Sequence, residues 1–556
     1  MKPGGRVAAW GLAAFLAWLV GYPLLVTLAE ALGLEDGWTL EHFAEFAGRA
    51  DEWTALWRSL WISAASVVLA ALVGVPLAFL FERTEFPGRR VLGALVALPV
   101  ALPPLVGVIA FLFLYGESGF VTRSIAWLLR LDDAPWRLRG PGAILLVHAY
   151  SMYVYFYLFS RAALTRLDAA MEEAAAILGA GRLRTLARVT LPLLRPALAG
   201  AALLTFMTSL ASFSAPYIFG GSFRVMTTQI VASKLNAQGA LAQAEAVVLA
   251  AVAVVGLIVM LRLDRGSTAV VGGVRGVTPV RRRIARRWVR LVTVVLGWGL
   301  AGVLLMPHAT LALVSLVPPS TWTVELLPPI LNLDNYREVF SRPERLRPVL
   351  NSVWMAAAAT AVAVGLGLAA ARLGRRSSRG GKGGVGKLLE TLVSVPWAVP
   401  GTVFAVALAT TFSVAALHAG RMILVGTPWI LPLAYLVRSL PLTGRASFAG
   451  LRQMDSSLEE AALILGAGRW RTLFRVVLPI LRPALLAGAS LAFITALGDF
   501  VTSVVLYTYD TRPISIEIYS SLRLQETGVA AVYGVLLMLV SAAAFLVWGR
   551  EERLRS

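Results

Sequence analysis

The sequence predicts an all-α protein that crosses a membrane many times. Hydrophobic residues fill 58% of its 556 positions and charged residues only 15%, which leaves too little polar surface for a soluble protein of this length. Long apolar runs bounded by charge recur along the chain, and one segment of 27 residues occurs twice. These observations predict about 12 transmembrane helices in two tandem six-helix domains.

Residue counts exclude several kinds of site. The absence of cysteine rules out disulfides, thiolate metal sites, Fe–S clusters and a cysteine nucleophile. Four histidines offer little material for a metal centre, and we assign no metal ligands. The net charge of +20 would suggest nucleic acid in a soluble protein, but in a membrane protein its distribution between the two sides matters more.

Twelve apolar runs are long enough to cross a bilayer, whose core of roughly 30 Å needs about 20 helical residues. We take them as helices because a barrel would show short alternating strands. The first run is too long for the apolar region of a signal peptide, so we expect it to be retained. The runs lie near residues 8–32, 57–81, 91–115, 143–160, 196–220, 244–262, 291–315, 349–371, 388–413, 422–440, 483–508 and 530–549.

Basic residues fix the expected orientation. The inter-span segments on the side that holds both termini carry 36 of the 51 Lys and Arg residues. Cytoplasmic loops are enriched in positive charge, so both termini are expected in the cytoplasm. The cluster at Arg281, Arg282 and Arg283 is then a linker beside anionic lipid headgroups, and no nucleic-acid partner is expected.

The duplicated segment divides the chain. EEAAAILGAGRLRTLARVTLPLLRPAL at 172–198 returns at 459–485 with 22 of 27 positions identical and a constant offset of 287. We therefore predict domains at 1–270 and 271–556, with a linker at 263–288. Each domain has six spans, so the copies insert in the same orientation, with a pathway expected between them.

Each copy predicts a short helix, a bend and a second helix on the cytoplasmic side. In the first copy the bend falls at Gly179 and Gly181 and the second helix ends at Pro192; Gly466, Gly468 and Pro479 correspond in the second. A plain hairpin with a basic collar would not need this spacing twice. A docking surface for a cytoplasmic partner would.

These segments, the loops at 166–195 and 453–482, resemble the signature loop of the permease subunits of binding-protein-dependent ABC importers. That signature is Glu-Ala-Ala, three residues, Gly, nine residues, an aliphatic residue, any residue and Leu-Pro. It matches Glu173, Ala174, Ala175, Gly179, Val189 and Leu191-Pro192, and again Glu460, Ala461, Ala462, Gly466, Val476 and Leu478-Pro479. The whole chain resembles the fused form with two permease domains, most of all the ferric-iron type, with the thiamine type next.

The resemblance implies a function and partners. Each loop would dock as a coupling helix on one of two cytoplasmic ATPase subunits, most simply a homodimer, which would use ATP and Mg²⁺ while this chain binds no cofactor. An external binding protein would deliver the cargo across a bacterial or archaeal cytoplasmic (inner) membrane. Ferric iron is the first expectation; thiamine, a polyamine or an oxyanion are alternatives, and a secondary transporter is a weaker one.

One motif imitates a nucleotide site. Residues Gly381–Lys387 have the Gly-x4-Gly-Lys spacing of a phosphate loop, but Leu388 replaces the required hydroxyl and no strand precedes them. We interpret the segment as a basic loop, so ATP hydrolysis is expected in a separate chain.

Polar residues within spans are the candidates for the pathway, because their desolvation is costly. Asp499 is the strongest, and its counterpart at the 287 offset is Ser212. With Ser214 and Tyr217 nearby, these residues offer hard oxygen contacts to a passing cation, although a bond from Thr502 or Ser503 to Asp499 explains that carboxylate equally well.

Other polar and proline positions receive structural interpretations. Glu30, Glu245 and Glu390 are expected to face lipid headgroups, and His148 is expected to pack. Pro103-Pro104 and Pro400 are expected to kink the third span of each half.

Overall fold

The computed structural model describes residues 3–34, 37–97, 99, 103–264, 282–284, 286–318, 328–378, 384–415 and 419–553. The first half contains α1 (Pro3–Leu16), α2 (Tyr22–Ala31), α3 (Glu41–Gly48), α4 (Ala50–Arg83), α5 (Arg89–Val96), α6 (Pro104–Tyr115), α7 (Phe120–Leu129), α8 (Gly140–Leu164), α9 (Ala169–Ile177), α10 (Arg182–Thr185), α11 (Leu191–Leu210), α12 (Ser214–Phe219), α13 (Met226–Leu235) and α14 (Gly239–Asp264).

The second half repeats this order. It contains α15 (Arg287–Ser315), α16 (Asp334–Ser341), α17 (Pro343–Ser378), α18 (Gly384–Ala398), α19 (Gly401–Thr411), α20 (Ile430–Gln453), α21 (Ser457–Ile464), α22 (Arg469–Thr472), α23 (Leu478–Leu497), α24 (Ser503–Leu506), α25 (Ile514–Arg523) and α26 (Thr527–Arg553). Two short strands, β1 (Thr84–Glu85) and β2 (Arg282–Arg283), pair in parallel. Residues 265–281 of the predicted linker and 381–383 of the predicted basic loop lie outside the described residues.

The fold class is confirmed, and the number of long apolar helices is close to the predicted 12. Ten helices of the described chain are long and apolar enough to cross a membrane, or eleven if the bent pair α18 and α19 forms one span. The run predicted near 422–440 belongs to α20, which begins at Ile430 and carries Arg438, Arg445 and Arg452. Burial inside the bundle holds α20 in place, whereas a hydropathy criterion weighs only its charges.

The prolines break the third span of each half, as predicted. In the second half α18 and α19 meet at 105°, just before and after Pro400. In the first half the run at 91–115 is interrupted near its prolines, because α5 ends at Val96 and α6 begins at Pro104. Pro103 has φ −55° and ψ 135° because the ring of the next proline disfavours a helical conformation there.

The expectation that Pro192 and Pro479 end a helix is wrong. A π-helical turn, Leu186–Thr190 in the first half and Leu473–Val477 in the second, leads directly into α11 or α23. The N–H of the residue before each proline bonds five residues back, Leu191 to Leu186 and Leu478 to Leu473, so the wider turn lets the helix continue past a residue that lacks an N–H. The loop and the following span form one continuous helical rod.

The spans predicted at 196–220 and 483–508 end earlier than expected. Helix α11 stops at Leu210 and α23 at Leu497, and the remaining apolar residues form the short helices α12 and α24. Serine hydroxyls and carbonyls bond locally there, which offers the backbone an alternative to a longer helix.

Each half has a closely packed helix pair at its centre, α4 with α8 and α17 with α20. Glycine permits the approach: a Cβ added at Gly74 would lie 2.3 Å from the carbonyl oxygen of Tyr153, and one at Gly367 would lie 3.0 Å from the backbone of Gly444. Small residues are the usual means by which membrane helices approach closely.

The first long helix of each half packs against the other half. Helix α1 lies on α17 and α18, and α15 lies on α5, α6 and α26. Ala13 and Leu16 of α1 are buried in one apolar cluster with Ala363 and Leu389 of the second half. The halves that the sequence repeat defines are therefore intertwined in space, and the boundary at 270 remains a prediction.

Candidate functional site

The two repeated loops have the same fold, which their sequence explains. Asp168, the N-cap of α9, accepts a hydrogen bond from the N–H of Ala170 (3.0 Å), and Asp455, one residue before the N-cap of α21, accepts one from the N–H of Ser457 (2.9 Å). Exposed Asp455 keeps its charge readily because the backbone and side-chain hydrogen bonds of Ser457 lower its pKa.

Both helices end at a glycine in the left-handed region. Gly179 and Gly466 have φ +77°, a conformation that residues with a Cβ rarely adopt. The next residue, Ala180, donates its N–H to the carbonyl of Ala175 (2.9 Å), and Ala467 does the same to Ala462. This is a Schellman cap, and it explains why Glu-Ala-Ala and Gly stand at a fixed spacing.

The second glycine of each loop has a different position. Gly181 begins α10 with φ −67° and ψ 162°, and a Cβ added there would meet nothing within 4 Å. The same holds for Gly468. The backbone of the loop does not need glycine at these positions.

Large apolar side chains project from the loops into open space. The exposed fraction is 86% for Ile177 and Leu178 and 81% for Leu183; in the second loop Ile464 is 85% and Leu465 86% exposed. No residue of α9 or α21 is buried. Clusters of this kind on a polar surface mark sites of protein–protein contact.

An ion pair that the sequence reasoning missed fixes the first loop. Arg83, at the end of α4, donates to both carboxylate oxygens of Glu172, at 2.6 and 2.9 Å, and Thr190 donates to the same carboxylate at 2.9 Å. The repeated Glu-Glu pair was the available signal: the first glutamate points inward, and Glu173 is exposed.

The second loop shares this plan with one difference. Glu459 replaces Glu172 and lies near Arg372, while Val477 stands where the first loop has Thr190. Glu460, like Glu173, is exposed. The exposed surfaces of the two loops are therefore more alike than the contacts that hold each loop against the helix bundle.

The four predicted pathway residues lie around one contact between the halves. Phe213, next to Ser212, and Phe500, next to Asp499, have ring centroids 5.6 Å apart. Tyr217 stacks on Phe213 at 4.7 Å, and Ser214 is buried at the start of α12. The structure thus brings these residues together, and their role in transport remains a prediction.

Asp499 is held by residues of its own half. Arg438 pairs with one of its carboxylate oxygens, while the other accepts hydrogen bonds from the backbone and hydroxyl of Thr502. Its backbone carbonyl accepts from Ser503 (2.6 Å) and Ser515 (2.7 Å). These bonds favour a structural role for the carboxylate, because none of its oxygens lacks a partner.

The corresponding place in the first half has no charge. The ring nitrogens of His148 lie 2.9 Å from the hydroxyls of Ser66 and Ser212. His148 is only 2% exposed, and its bonding agrees with the packing role expected from the sequence. At the 287 offset Tyr435 replaces it, so one half has a histidine–serine hydrogen-bond network where the other has an ion pair.

Glu245 corrects one expectation. It does not face headgroups: it is 0% exposed, and its carboxylate accepts a hydrogen bond from Ser233 at 2.6 Å. Glu52, also 0% exposed, lies beside it and accepts from Gln229 at 2.9 Å. Glu390 pairs with Arg452 at 2.6 Å, and its contact with headgroups remains a prediction. Hydropathy locates Glu245 along its span but does not indicate which way it points.

Comparisons with known proteins agree with this architecture. The family described as "Binding-protein-dependent transport system inner membrane component" matches residues 70–268 and 363–550. A probable ABC transporter permease protein, y4fN of Sinorhizobium fredii, is 30% identical over 97% of this chain and 94% of its own.

Several relatives carry names that include a cargo. The ferric transport system permease protein FbpB of Actinobacillus pleuropneumoniae is 29% identical over 88% of this chain and 69% of its own. The thiamine transport system permease protein ThiP of Brucella abortus is 30% identical over 53% of each chain.

Proposed function

The chain belongs to the family of binding-protein-dependent transport system inner membrane components, and from this premise we propose that it is the ferric-iron permease of an ATP-driven importer. An external binding protein delivers the cargo to one face. Two separate cytoplasmic ATPase subunits bind and hydrolyse ATP with Mg²⁺ at the other. The two halves alternate between opening outward and opening inward.

The twin loops support the coupling part of this proposal. Each presents a capped short helix whose apolar residues are exposed, and a π-helical turn joins each loop rigidly to the next span. A force applied by an ATPase at α9 or α21 is thereby transmitted to α11 or α23. The matching surfaces favour two identical ATPase subunits.

Glu173 and Glu460 are the residues proposed to meet basic groups of the ATPases. Both carboxylates are exposed next to the apolar side chains that end α9 and α21. Apolar contact at the centre and a charged rim are the usual anatomy of a protein interface.

The cargo assignment depends on the relatives. The ferric permease aligns with most of this chain, whereas the thiamine permease aligns with about half of it. Ferric iron is therefore the first candidate and thiamine the second. The distribution of basic residues between the two sides supports a bacterial or archaeal cytoplasmic location for both termini.

Purification through a tag on this chain tests the partners. We expect the complex to contain an ATPase and a binding protein that carries stoichiometric iron, by protein and elemental mass spectrometry. The double variant Glu173→Lys/Glu460→Lys is expected to lose the ATPase while inserting normally. The variant Glu344→Lys, which changes an exposed glutamate at the opposite end of the bundle, is the control.

The outcomes separate the parts of the proposal. An organic ligand without iron in the binding protein would keep the importer and change the cargo. Unchanged ATPase recovery in the double variant would refute the role of the two glutamates. Failure to recover any ATPase with the wild-type chain would refute the coupling loops.

A further inference from the structure

Four aromatic side chains pack together at the contact between the two halves. This aromatic cluster consists of Phe213 and Tyr217 from the first half and Phe500 and Tyr519 from the second. Tyr217 lies 5.7 Å from Phe500 and 5.3 Å from Tyr519, and Phe500 lies 5.7 Å from Tyr519, between ring centroids. Phe213 and Phe500 are each 1% exposed, so no gap remains between them.

The cluster lies on the axis that relates the halves. Phe213 and Phe500 are 287 positions apart, which is the offset of the repeat, so each phenylalanine contacts its own counterpart. Residues related by a two-fold axis can touch only close to that axis. Between two parallel repeats, this axis runs along the membrane normal, where a pathway between them lies.

The cluster is at the membrane face opposite the coupling loops. Helix α11, which follows the first loop, has 20 residues from Leu191 to Leu210, and at about 1.5 Å per residue its length matches a bilayer core of roughly 30 Å. Phe213 and Tyr217 follow directly after its far end. With the loops in the cytoplasm, the aromatic cluster closes the external end.

A positively charged side chain, that of Arg523, lies beside the aromatic cluster. The guanidinium carbon of Arg523 lies 5.9 Å from the ring centroid of Tyr519, one helical turn earlier on α25. Arg523 is exposed, and among the described residues no carboxylate forms an ion pair with it. Asp499, the carboxylate next to Phe500 in the chain, is paired with Arg438.

We propose that the aromatic cluster is the external gate of the permeation pathway and that Arg523 contacts the cargo there. The inference rests on the proposed permease function. Apolar constrictions block hydrated solutes until their walls separate, and here the walls belong to different halves. Because an unpaired guanidinium repels cations, the solute that passes carries negative oxygen groups, such as ferric iron with bound anions or an oxyanion.

Thiol cross-linking tests the gate, and the absence of natural cysteine makes the chain suited to it. The pair Phe213→Cys/Phe500→Cys is joined by a short, reducible bifunctional thiol reagent in the intact complex. The control pair, Phe81→Cys/Phe86→Cys, has nearly the same ring separation, 5.7 Å, but lies within one half. ATP-driven uptake into vesicles is measured before joining, after joining and after reduction.

We expect joining the gate pair to reduce uptake at least about tenfold, reversibly, and joining the control pair to leave it unchanged. Wild-type uptake by the joined gate pair would overturn the gate. If the phenylalanine variants do not fold, the half-buried pair Tyr217→Cys/Tyr519→Cys makes the same test. Absence of ATP-driven uptake by the wild-type complex would instead refute the proposed function.

Charge variants test the contact with the cargo. Arg523→Gln is expected to raise the KM of uptake about tenfold, and Arg523→Lys to restore most of the loss. Thermal unfolding should be the same in both variants, which separates the contact from a structural role. Faster uptake by Arg523→Glu would overturn the anionic assignment and indicate a cationic cargo such as thiamine.

Discussion

At the scale of single residues, the lack of a Cβ atom at one glycine allows the shape of each repeated loop. A methyl group at Gly179 would strain the left-handed backbone, whereas one at Gly181 would enter open space. Both glycines occur in the repeated segment, but their backbone conformations in the structure differ. Gly179 ends a helix; Gly181 leaves room beside one, on a surface that we propose an ATPase covers.

The variant Gly179→Ala therefore measures the importance of the cap. The left-handed conformation costs a residue with a Cβ about 1–2 kcal/mol, which lowers the population of the capped loop about 5- to 30-fold. We expect a matching fall in ATP-driven uptake. Gly181→Ala in the purified chain without ATPase should leave the thermal stability unchanged, and a large loss there would contradict the geometry.

Glu172 and Glu173 form a second matched pair of neighbours. Glu172→Gln removes a forked ion pair with Arg83, whose side chain is 22% exposed, so we expect a loss of about 1 kcal/mol after allowance for that exposure. Glu173→Gln changes an exposed carboxylate and should stay within about 0.5 kcal/mol. Thermal unfolding in detergent compares them; equal melting temperatures would contradict the anchoring role of Glu172.

At the scale of elements, close helix packing holds each half together. Helices α4 and α8 approach at Gly74, and the corresponding pair approaches at Gly367. Lipid tails are as apolar as the helices, so van der Waals contact between closely fitting surfaces drives the helices to associate.

We expect Gly74→Ala to destabilise the chain by about 1–3 kcal/mol, because its methyl group would overlap the Tyr153 carbonyl. Gly365→Ala in α17 meets nothing within 4 Å and gains helix propensity, so its melting temperature should stay the same or rise. A stability loss confined to Gly365→Ala would contradict the packing described here.

Elements also show what a sequence can predict. Apolar runs and the repeat predicted most helices and the fold class, and the prolines predicted the breaks at Pro103 and Pro400. The runs did not predict that α20 continues as one helix to Gln453 past three arginines, nor that π-helical turns carry the chain through Pro192. Both depend on neighbours from distant parts of the chain.

The candidate site divides in the same way. The loops were predictable because two copies reveal a constraint on spacing. The partners of Asp499 and Glu245 were not, because Arg438 and Glu52 are about 60 and 190 positions away and no local period links them.

At the scale of the whole molecule, the two halves are repeats in sequence, and each packs its first long helix against the other half. Helix α1 completes the apolar cluster of the second half, and α15 packs on the first. When the halves move relative to each other, α1 is therefore expected to move with the second half and α15 with the first.

Splitting the chain tests this exchange. We expect residues 1–270 and 271–556, expressed together, to purify as a pair. Ala13→Phe, at a position only 2% exposed against the second half, should overpack by about 1–3 kcal/mol and weaken recovery. Gly11→Phe, which meets nothing within 4 Å, should not. Equal recovery of the two variants would contradict the exchange.

The central claim is that this chain imports its cargo at the expense of ATP hydrolysed by other subunits. The most direct measurement is uptake of radioactive ferric iron into vesicles that contain the complex purified through this chain. We expect accumulation that requires both ATP and the iron-loaded binding protein. Accumulation driven by an ion gradient without ATP would contradict the account.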